Sequence, residues 1–549
     1  MNNPLRATAR AVALSCFVGL STFWAVGQPA STPSVHSVAR TGKADSGRGA
    51  EARAARAYDE ARREGPLAVY AFLHQFPKGA DLHVHLSGAV YAETLIREAA
   101  EDGLCVDTVA LRLVRPPCDD PLVPATRLTG VLSNADQDLY DRLVNSLSMR
   151  SFVPTPGFSG HDQFFSVFGN GSPSLSKFGA LKNHAGEWVD EVAARAANQN
   201  QQYLELMQTP PFGHAARIAA EIGWPASGPV DFAQMRQALL DRGLRDEVPD
   251  DMDNARQAEA QRRSLEHCGT ARAEPACQVE IRYIYQILRA NPPAVVFAQT
   301  LLGFETIERS IESGEPGFVG INFVQPEDGY VSMRDYTLQM NMVGYLHSVY
   351  PKVHITLHAG ELAPGVVPPE GLRFHIRQAV ELGHAERIGH GVDIMYEDDA
   401  RGLLREMAAK HIMVEINLSS NEGILGVKGE LHPFPMYRAA HVPVALSTDD
   451  EGVSRIEITH EYTRAAVDYR LTYSDLKELA RTGMEHDFLP GESLWARPDE
   501  FTIARGGCRG QVLGSEKPSY ACKTFLAGSE KAAAQWELER RFREFEARF

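Results

Sequence analysis

The chain has 549 residues, with 55 Lys and Arg against 71 Asp and Glu and a formal charge of −16. That balance excludes a general nucleic-acid binder, whose phosphate contacts are made mainly by Lys and Arg. Hydrophobic residues at 44%, charged residues at 23%, 45 Gly and 32 Pro exclude a mostly disordered, collagen-like or polytopic membrane protein and leave room for a large core.

The N-terminus combines Arg6 and Arg10, an apolar run from Ala11 to Val26 and a small-residue site at Ala25-Val26-Gly27, the pattern of a secretory signal peptide over residues 1–27. An uncleaved anchor is the alternative, but the run is short for a span and is broken by Ser15, Ser21 and Thr22. An exported chain, periplasmic or secreted, with no stable membrane span is therefore expected. Residues 28–50, rich in Ser, Gly, Pro and Ala, read as a flexible leader, and residues 51–76 as a helical extension. Removing the leader peptide removes Cys16 and leaves six cysteines in three local pairs. Loop closure costs least between near neighbours, so Cys105–Cys118, Cys268–Cys277 and Cys508–Cys522 are the expected disulfides, with free buried thiols as the alternative.

From residue 77 to about 500, short apolar runs alternate with helical stretches, which predicts a parallel sheet built from βα repeats. The strand candidates are Ala80–Leu86, Tyr203–Gln208, Val279–Tyr285, Phe318–Val324, Val353–His358, Arg387–Val392, Met413–Leu418 and Val442–Ser447. Eight such strands predict an α/β fold, a (β/α)8 TIM-type barrel. Their uneven spacing predicts insertions near 105–173 and 226–277, read as lids, interaction surfaces or disordered stretches. Residues 501–549 form a C-terminal extension whose last helix places Leu538, Phe542, Phe545 and Phe549 at helical spacing for packing.

His83 and His85 sit two apart in the first strand candidate, so both imidazoles leave the same face. Alone they are ordinary core or surface histidines, but further donors stand at other strand ends: His358 and Glu361 after the fifth, His390 after the sixth, Asp449 and Asp450 after the eighth. In a parallel barrel these ends converge on one mouth. Three imidazoles (His83, His85, His358) and one carboxylate (Asp449) suit a single Zn2+ per chain among the abundant ions, with another transition metal as the alternative, and do not suit Ca2+ or Mg2+. Such an ion lowers the pKa of its water toward neutrality. Glu361 is then placed to shuttle a proton, His390 to orient or deprotonate the water, and Asp450 to bond substrate. The residues alone predict a metal-assisted hydrolase acting on a planar carbon and leave the substrate open.

Pro77-Lys78-Gly79-Ala80-Asp81-Leu82-His83-Val84-His85-Leu86-Ser87-Gly88, His358-Ala359-Gly360-Glu361, Arg387-Ile388-Gly389-His390-Gly391, Asn417-Leu418-Ser419-Ser420-Asn421 and Ser447-Thr448-Asp449-Asp450 resemble, in order, the motifs of the adenosine/AMP deaminase family of the amidohydrolase superfamily. The signal peptide, cysteines and insertions resemble its secreted growth-factor-related branch. The resemblance implies zinc on His83, His85, His358 and Asp449, with Glu361 protonating the purine ring. It also implies that His390 steers the nucleophile and that Asp450 meets the imidazole edge of the purine. The implied reaction is hydrolytic deamination of adenosine, and of 2′-deoxyadenosine, to the inosine product and ammonia.

Two positions depart from the family pattern. Ser87 stands where relatives use an Asp for the ribose 5′-hydroxyl, and Gln325 takes the place of a glycine whose backbone N–H meets the purine, its side chain narrowing the approach. Glu327 either supports the site or touches substrate, with a surface carboxylate as the alternative, and His161–Phe168 reads either as an apolar lid over the base or as ordinary helix packing. AMP or another 6-aminopurine is the competing substrate, although no Arg or Lys suggests itself for the phosphate of AMP. A growth-factor-like binding protein acting through its insertions is the non-enzymatic reading. The extension at 51–76 would mediate a homodimer or cap the barrel.

Overall fold

The computed structural model describes residues 44–171, 183–226, 228–314 and 317–549. The signal-peptide reading of residues 1–27 lies outside them. Helices run over Ala44–Glu64 and Pro66–His74. The expected single helix over 51–76 is thus two, and it starts inside the stretch read as a flexible leader. The break falls where Gly65 takes φ +116° and Pro66, which has no N–H to give, opens the second helix.

The sheet strands are β1 (Gly79–His85), β2 (Cys105–Asp107), β3 (Arg112–Val114), β4 (Leu122–Pro124), β5 (Gln201–Gln208), β6 (Glu280–Leu288), β7 (Phe318–Val324), β8 (His354–Ala359), β9 (Arg387–His390), β10 (Met413–Ile416) and β11 (Val444–Leu446). Eight of them pair in parallel in the order β1-β5-β6-β7-β8-β9-β10-β11. A parallel bridge between Val84 and Asp449 brings the first strand against the end of the last. His85 N donates to Asp449 O at 3.2 Å and Asp449 N to His83 O at 2.9 Å, closing a (β/α)8 barrel at the level of the site.

Each barrel strand matches one of the expected eight, with two ends trimmed for a local reason. β9 stops at His390 because His390 and Gly391 adopt φ of +68° and +57°, outside the extended region. β11 starts after Pro443, which lacks a ladder donor. Outward residues such as Leu82, Val84, Leu204, Leu206 and Ile355 join the helices in the main core. The inward face is polar: Asp81, His83, Glu205, Asn322, Thr356, Arg387 and Glu415 are all buried.

The first insertion holds β2, β3 and β4 as a small antiparallel sheet over its own apolar cluster. The second differs from the expected lid or disordered stretch. Its helices Phe232–Asp241 and Val248–Leu265 supply Leu239, Ala255 and Ala258 to the main core, and the short turn Leu244–Glu247 between them adds Leu244. Its buried Asp251 accepts from Tyr285 Oη at 2.9 Å, which ties the insertion to β6. Disulfides join Cys105 to Cys118, Cys268 to Cys277 and Cys508 to Cys522. The last helix, Glu530–Glu546, buries Leu538, Phe542 and Phe545 against the N-terminal helices, with Phe72 5.2 Å from Phe545 between ring centroids. Among the described residues no helix is long and apolar enough to cross a membrane.

Candidate active site

His83 and His85 project inward from the end of β1 and meet His358 from β8 and Asp449 just beyond β11. Asp449 Oδ1 lies 3.4 Å from His83 Nε2 and 3.2 Å from His85 Nε2, and His85 Nε2 lies 3.2 Å from His358 Nε2. These separations fall in the range expected between neighbouring donors on one zinc ion, where bonds of about 2.0–2.1 Å place them roughly 2.9–3.6 Å apart in a centre that also keeps a position for water. His83 Nε2 is buried and has no hydrogen-bond partner in the protein.

The opposite nitrogen of each histidine is already engaged. His83 Nδ1 faces Glu415 Oε2 at 2.6 Å, His85 Nδ1 faces Gln286 Oε1 at 2.6 Å, and His358 Nδ1 faces Asn322 Oδ1 at 2.8 Å. Three acceptors on Nδ1 leave three Nε2 atoms to bind an ion, the outer arrangement that orients metal ligands. Burial opposes charge on His83, but Asp449 and Glu415 push its pKa up to about 10, so the pocket favours a positive charge. Burial, followed by His83, His85 and His390, keeps His358 neutral as a ligand must be. Donor set, spacing and charge therefore fit Zn2+.

Beneath the histidines, Arg387 of β9 bonds Glu415 at 2.6 Å and Glu205 at 2.6 Å, all three side chains fully buried. Its guanidinium stacks over Phe488 at 3.8 Å and donates to His486 O at 2.9 Å. Thr356 Oγ1 also donates to Glu415 at 2.9 Å. This network carries orientation from the barrel floor to His83, and the sequence reading did not include Glu415, Gln286, Glu205 or a structural role for Arg387. For Glu205, Arg387 and Glu415 the available signal was a charged side chain at an inward position of a strand candidate, where an apolar residue is the default; Gln286 lies just past the candidate Val279–Tyr285, on a strand that runs on to Leu288.

Glu361 lies one turn beyond β8, nearly buried, its Oε1 3.5 Å from His390 Nδ1. Burial, then the neighbouring Asp449 and Glu327, raise its pKa well above the ordinary carboxylate range. Its backbone is clamped by Glu327, whose two oxygens accept from Gly360 N at 3.0 Å and Glu361 N at 2.8 Å. His375 Nδ1 holds the same carboxylate. Gly360 takes φ +74°, and a Cβ there would meet Asp393 Oδ1 at 2.3 Å, so only glycine fits the turn. Glu327 is therefore not the surface carboxylate allowed as an alternative. It is buried, and although burial opposes its charge, His375 and Arg289 bring its pKa down to about 2.

Asp450 is buried beside Asp449, and its Oδ1 has no protein partner. Burial and then Asp449 raise it to about 7. Ser87 is half-buried in the short helix Leu86–Ala89, next to Gly88, which packs directly on Asp450. Gln325 sits at φ +86°, and its Oε1 accepts from Ala290 N at 2.8 Å. The expected narrowing is not what its side chain does: it is exposed and turned along the rim of β6, where this bond holds a conformation that usually calls for glycine.

The segment His161–Phe168 belongs to helix Gly160–Asn170, started by a capping box between Ser159 and Asp162. Phe164 and Val167 pack against Ile424 and Val453, which follow β10 and β11, and His161 Nε2 lies 3.0 Å from Asp328 Oδ1 after β7. The segment is thus an apolar helix packed on mouth-side elements.

An adenosine deaminase of Clostridium perfringens is 34% identical over 139 residues, 25% of this chain and 39% of that relative. One of Escherichia coli is 40% identical over 141 residues, again 25% and 39%. The chain thus matches well under half the length of these relatives. Among solved structures, an adenine deaminase from Arthrobacter aurescens (16% identity, 75% of this chain and 94% of that one, TM-score 0.48) and an Arabidopsis N6-mAMP deaminase (21%, 76% and 96%, 0.47) are similar. The adenosine deaminase family model matches residues 188–496, more than half of the chain and the part that contains His358, Glu361, His390, Asp449 and Asp450; the chain belongs to that family.

Proposed function

We propose that this protein is an exported, zinc-dependent hydrolytic deaminase that converts adenosine, and 2′-deoxyadenosine, to the inosine product and ammonia. The observation that carries the reading is the meeting of three Nε2 atoms and Asp449 at zinc spacing, with a buried carboxyl and a buried unpartnered carboxylate oxygen beside them. Three disulfides support export, since such bonds persist in oxidising compartments.

His83, His85, His358 and Asp449 would hold the ion. A bound Zn2+ brings the pKa of its water toward neutrality and so supplies the nucleophile at neutral pH. Glu361, kept protonated by its surroundings, donates to the ring nitrogen beside the attacked carbon and makes that carbon electrophilic. Asp450 accepts or donates at a second purine nitrogen and fixes the ring plane. Holding the base between these two carboxyl groups favours the charge distribution of addition over that of the planar ground state. The helix Gly160–Asn170 lends apolar surface at the mouth and limits access of water.

Purified protein mixed with adenosine should lose the adenosine absorbance band and release ammonia, with one zinc per chain in the same sample. Parallel reactions with 2′-deoxyadenosine, adenine and AMP define the substrate. Faster turnover of AMP than of adenosine would overturn the choice of nucleoside, and an inert, zinc-loaded protein would overturn the enzymatic reading in favour of a binding role.

A further inference from the structure

His390 has two ring nitrogens, and the bonds behind it decide which one carries the proton. The decision starts at a backbone donor with only one polarity. Phe434 N donates to His432 Nδ1 at 3.1 Å, so that nitrogen must present its lone pair. The proton of His432 therefore sits on Nε2, which is 3.0 Å from Asn421 Oδ1. Reversing the Asn421 amide would set its NH2 against that N–H, so the orientation is fixed. The Asn421 NH2 then donates to His390 Nδ1 at 2.9 Å. His390 Nδ1 in turn presents a lone pair, and the ring proton is confined to Nε2.

A charged ring is excluded by the same geometry, because imidazolium would place an N–H against the Asn421 NH2. The remaining neighbours are more distant than the Asn421 bond and do not decide between the two nitrogens. The Asn417 amide nitrogen is 3.4 Å from each ring nitrogen, and Glu361 Oε1 is 3.5 Å from Nδ1. His390, Asn421 and His432 are all buried, so water does not compete for these bonds. The ring packs on the candidate ligands, its centroid 4.9 Å from that of His83 and 5.1 Å from that of His358.

We propose that Asn421 and His432 are positioning residues that lock His390 as the neutral Nε2–H tautomer, so that it serves the reaction as a hydrogen-bond donor and not as a base. The proposal rests on the deaminase reading for its catalytic meaning, but the tautomer itself does not. A donor in this position stabilises negative charge that develops on the attacking oxygen, and Glu361, once it has given its own proton to the ring, is the carboxylate that takes the proton released there. Neither Asn421 nor His432 need touch substrate to have this effect.

The test is the 15N spectrum of histidine-labelled protein as purified, with the His390 signals identified by their loss in His390→Asn. His390 should show a protonated Nε2 and an unprotonated Nδ1. A proton on Nδ1 in the unsubstituted protein overturns the proposal, whether or not adenosine is turned over. Asn421→Asp keeps the shape and still accepts from His432, but offers His390 no donor. In that variant the proton should move to Nδ1 and kcat should fall roughly 100-fold or more, with KM within about 3-fold and zinc content unchanged. An Asn421→Asp protein that keeps both the spectrum and kcat of the parent also refutes it.

Discussion

Gly88 carries no side chain toward Asp450, and the space is taken: a Cβ there would lie 1.5 Å from Asp450 Oδ1. Gly88→Ala should therefore displace the carboxylate and lower kcat/KM for adenosine about 10- to 100-fold, mainly through KM, with zinc still bound. Steady-state kinetics and metal analysis on one preparation check this. Glu361→Gln removes the transferable proton while keeping size and backbone contacts, so kcat should drop about 100- to 10,000-fold at unchanged zinc content. The proposed metal-binding and proton-transfer residues were the legible ones, because His and carboxylate side chains gathered at the ends of parallel strands make a recognisable donor set. Gln286 and Asn322 were not, since an amide that holds a histidine looks like any other polar residue until the partner is seen. Gln325 was legible as a departure but not in its direction, which depends on a free N–H at Ala290.

At the level of elements, the turn after β8 is held by one buried acid. Glu327 has a folded pKa of about 2, lowered from its ordinary 4.5. A lowered carboxylate stabilises the fold above its unfolded pKa and loses that contribution as pH falls toward the folded value. Glu327 thus adds on the order of 3 kcal/mol at neutral pH, which is lost between about pH 4.5 and pH 2. Unfolding measured at pH 6 and pH 3 should show a smaller acid-induced loss for Glu327→Gln than for the parent protein. Arg387 is the matching case among the strands, since Arg387→Met would strand Glu205 and Glu415 as buried uncompensated acids and cost about 3–5 kcal/mol in denaturant titration. All eight barrel strands could be read from apolar runs that end in polar clusters. The three strands of the small sheet could not, because each is only three residues long and too short to show an alternation.

For the whole molecule, the barrel and its decorations answer to different forces. The disulfides close loops with sequence separations of 13, 9 and 14 residues, each worth about 3 kcal/mol on the loop-entropy scale. Reductant should lower the melting temperature while leaving activity at 25 °C within about 2-fold, because none of the three bridges touches the site. A chelator should remove activity and also lower the melting temperature, with zinc restoring both. The two insertions were legible as long gaps between strand candidates, whereas the packing of 226–277 was not. That stretch is polar along most of its length and reaches the core through a few residues, such as Leu239 and Leu244, which become apolar contacts only once the helices are placed.

The barrel's seam has no long ladder. The first barrel strand and the end of the last meet through Val84 and Asp449, flanked by the bonds of His83 and His85 to the same aspartate. Those residues are also the proposed cradle of the cation, so a bound ion would act as a fastener across the join as well as a reagent. Supply of zinc would then govern how long each folded copy lasts, and the amides of His85 and Asp449 would be the first to exchange with deuterium once the metal is withdrawn.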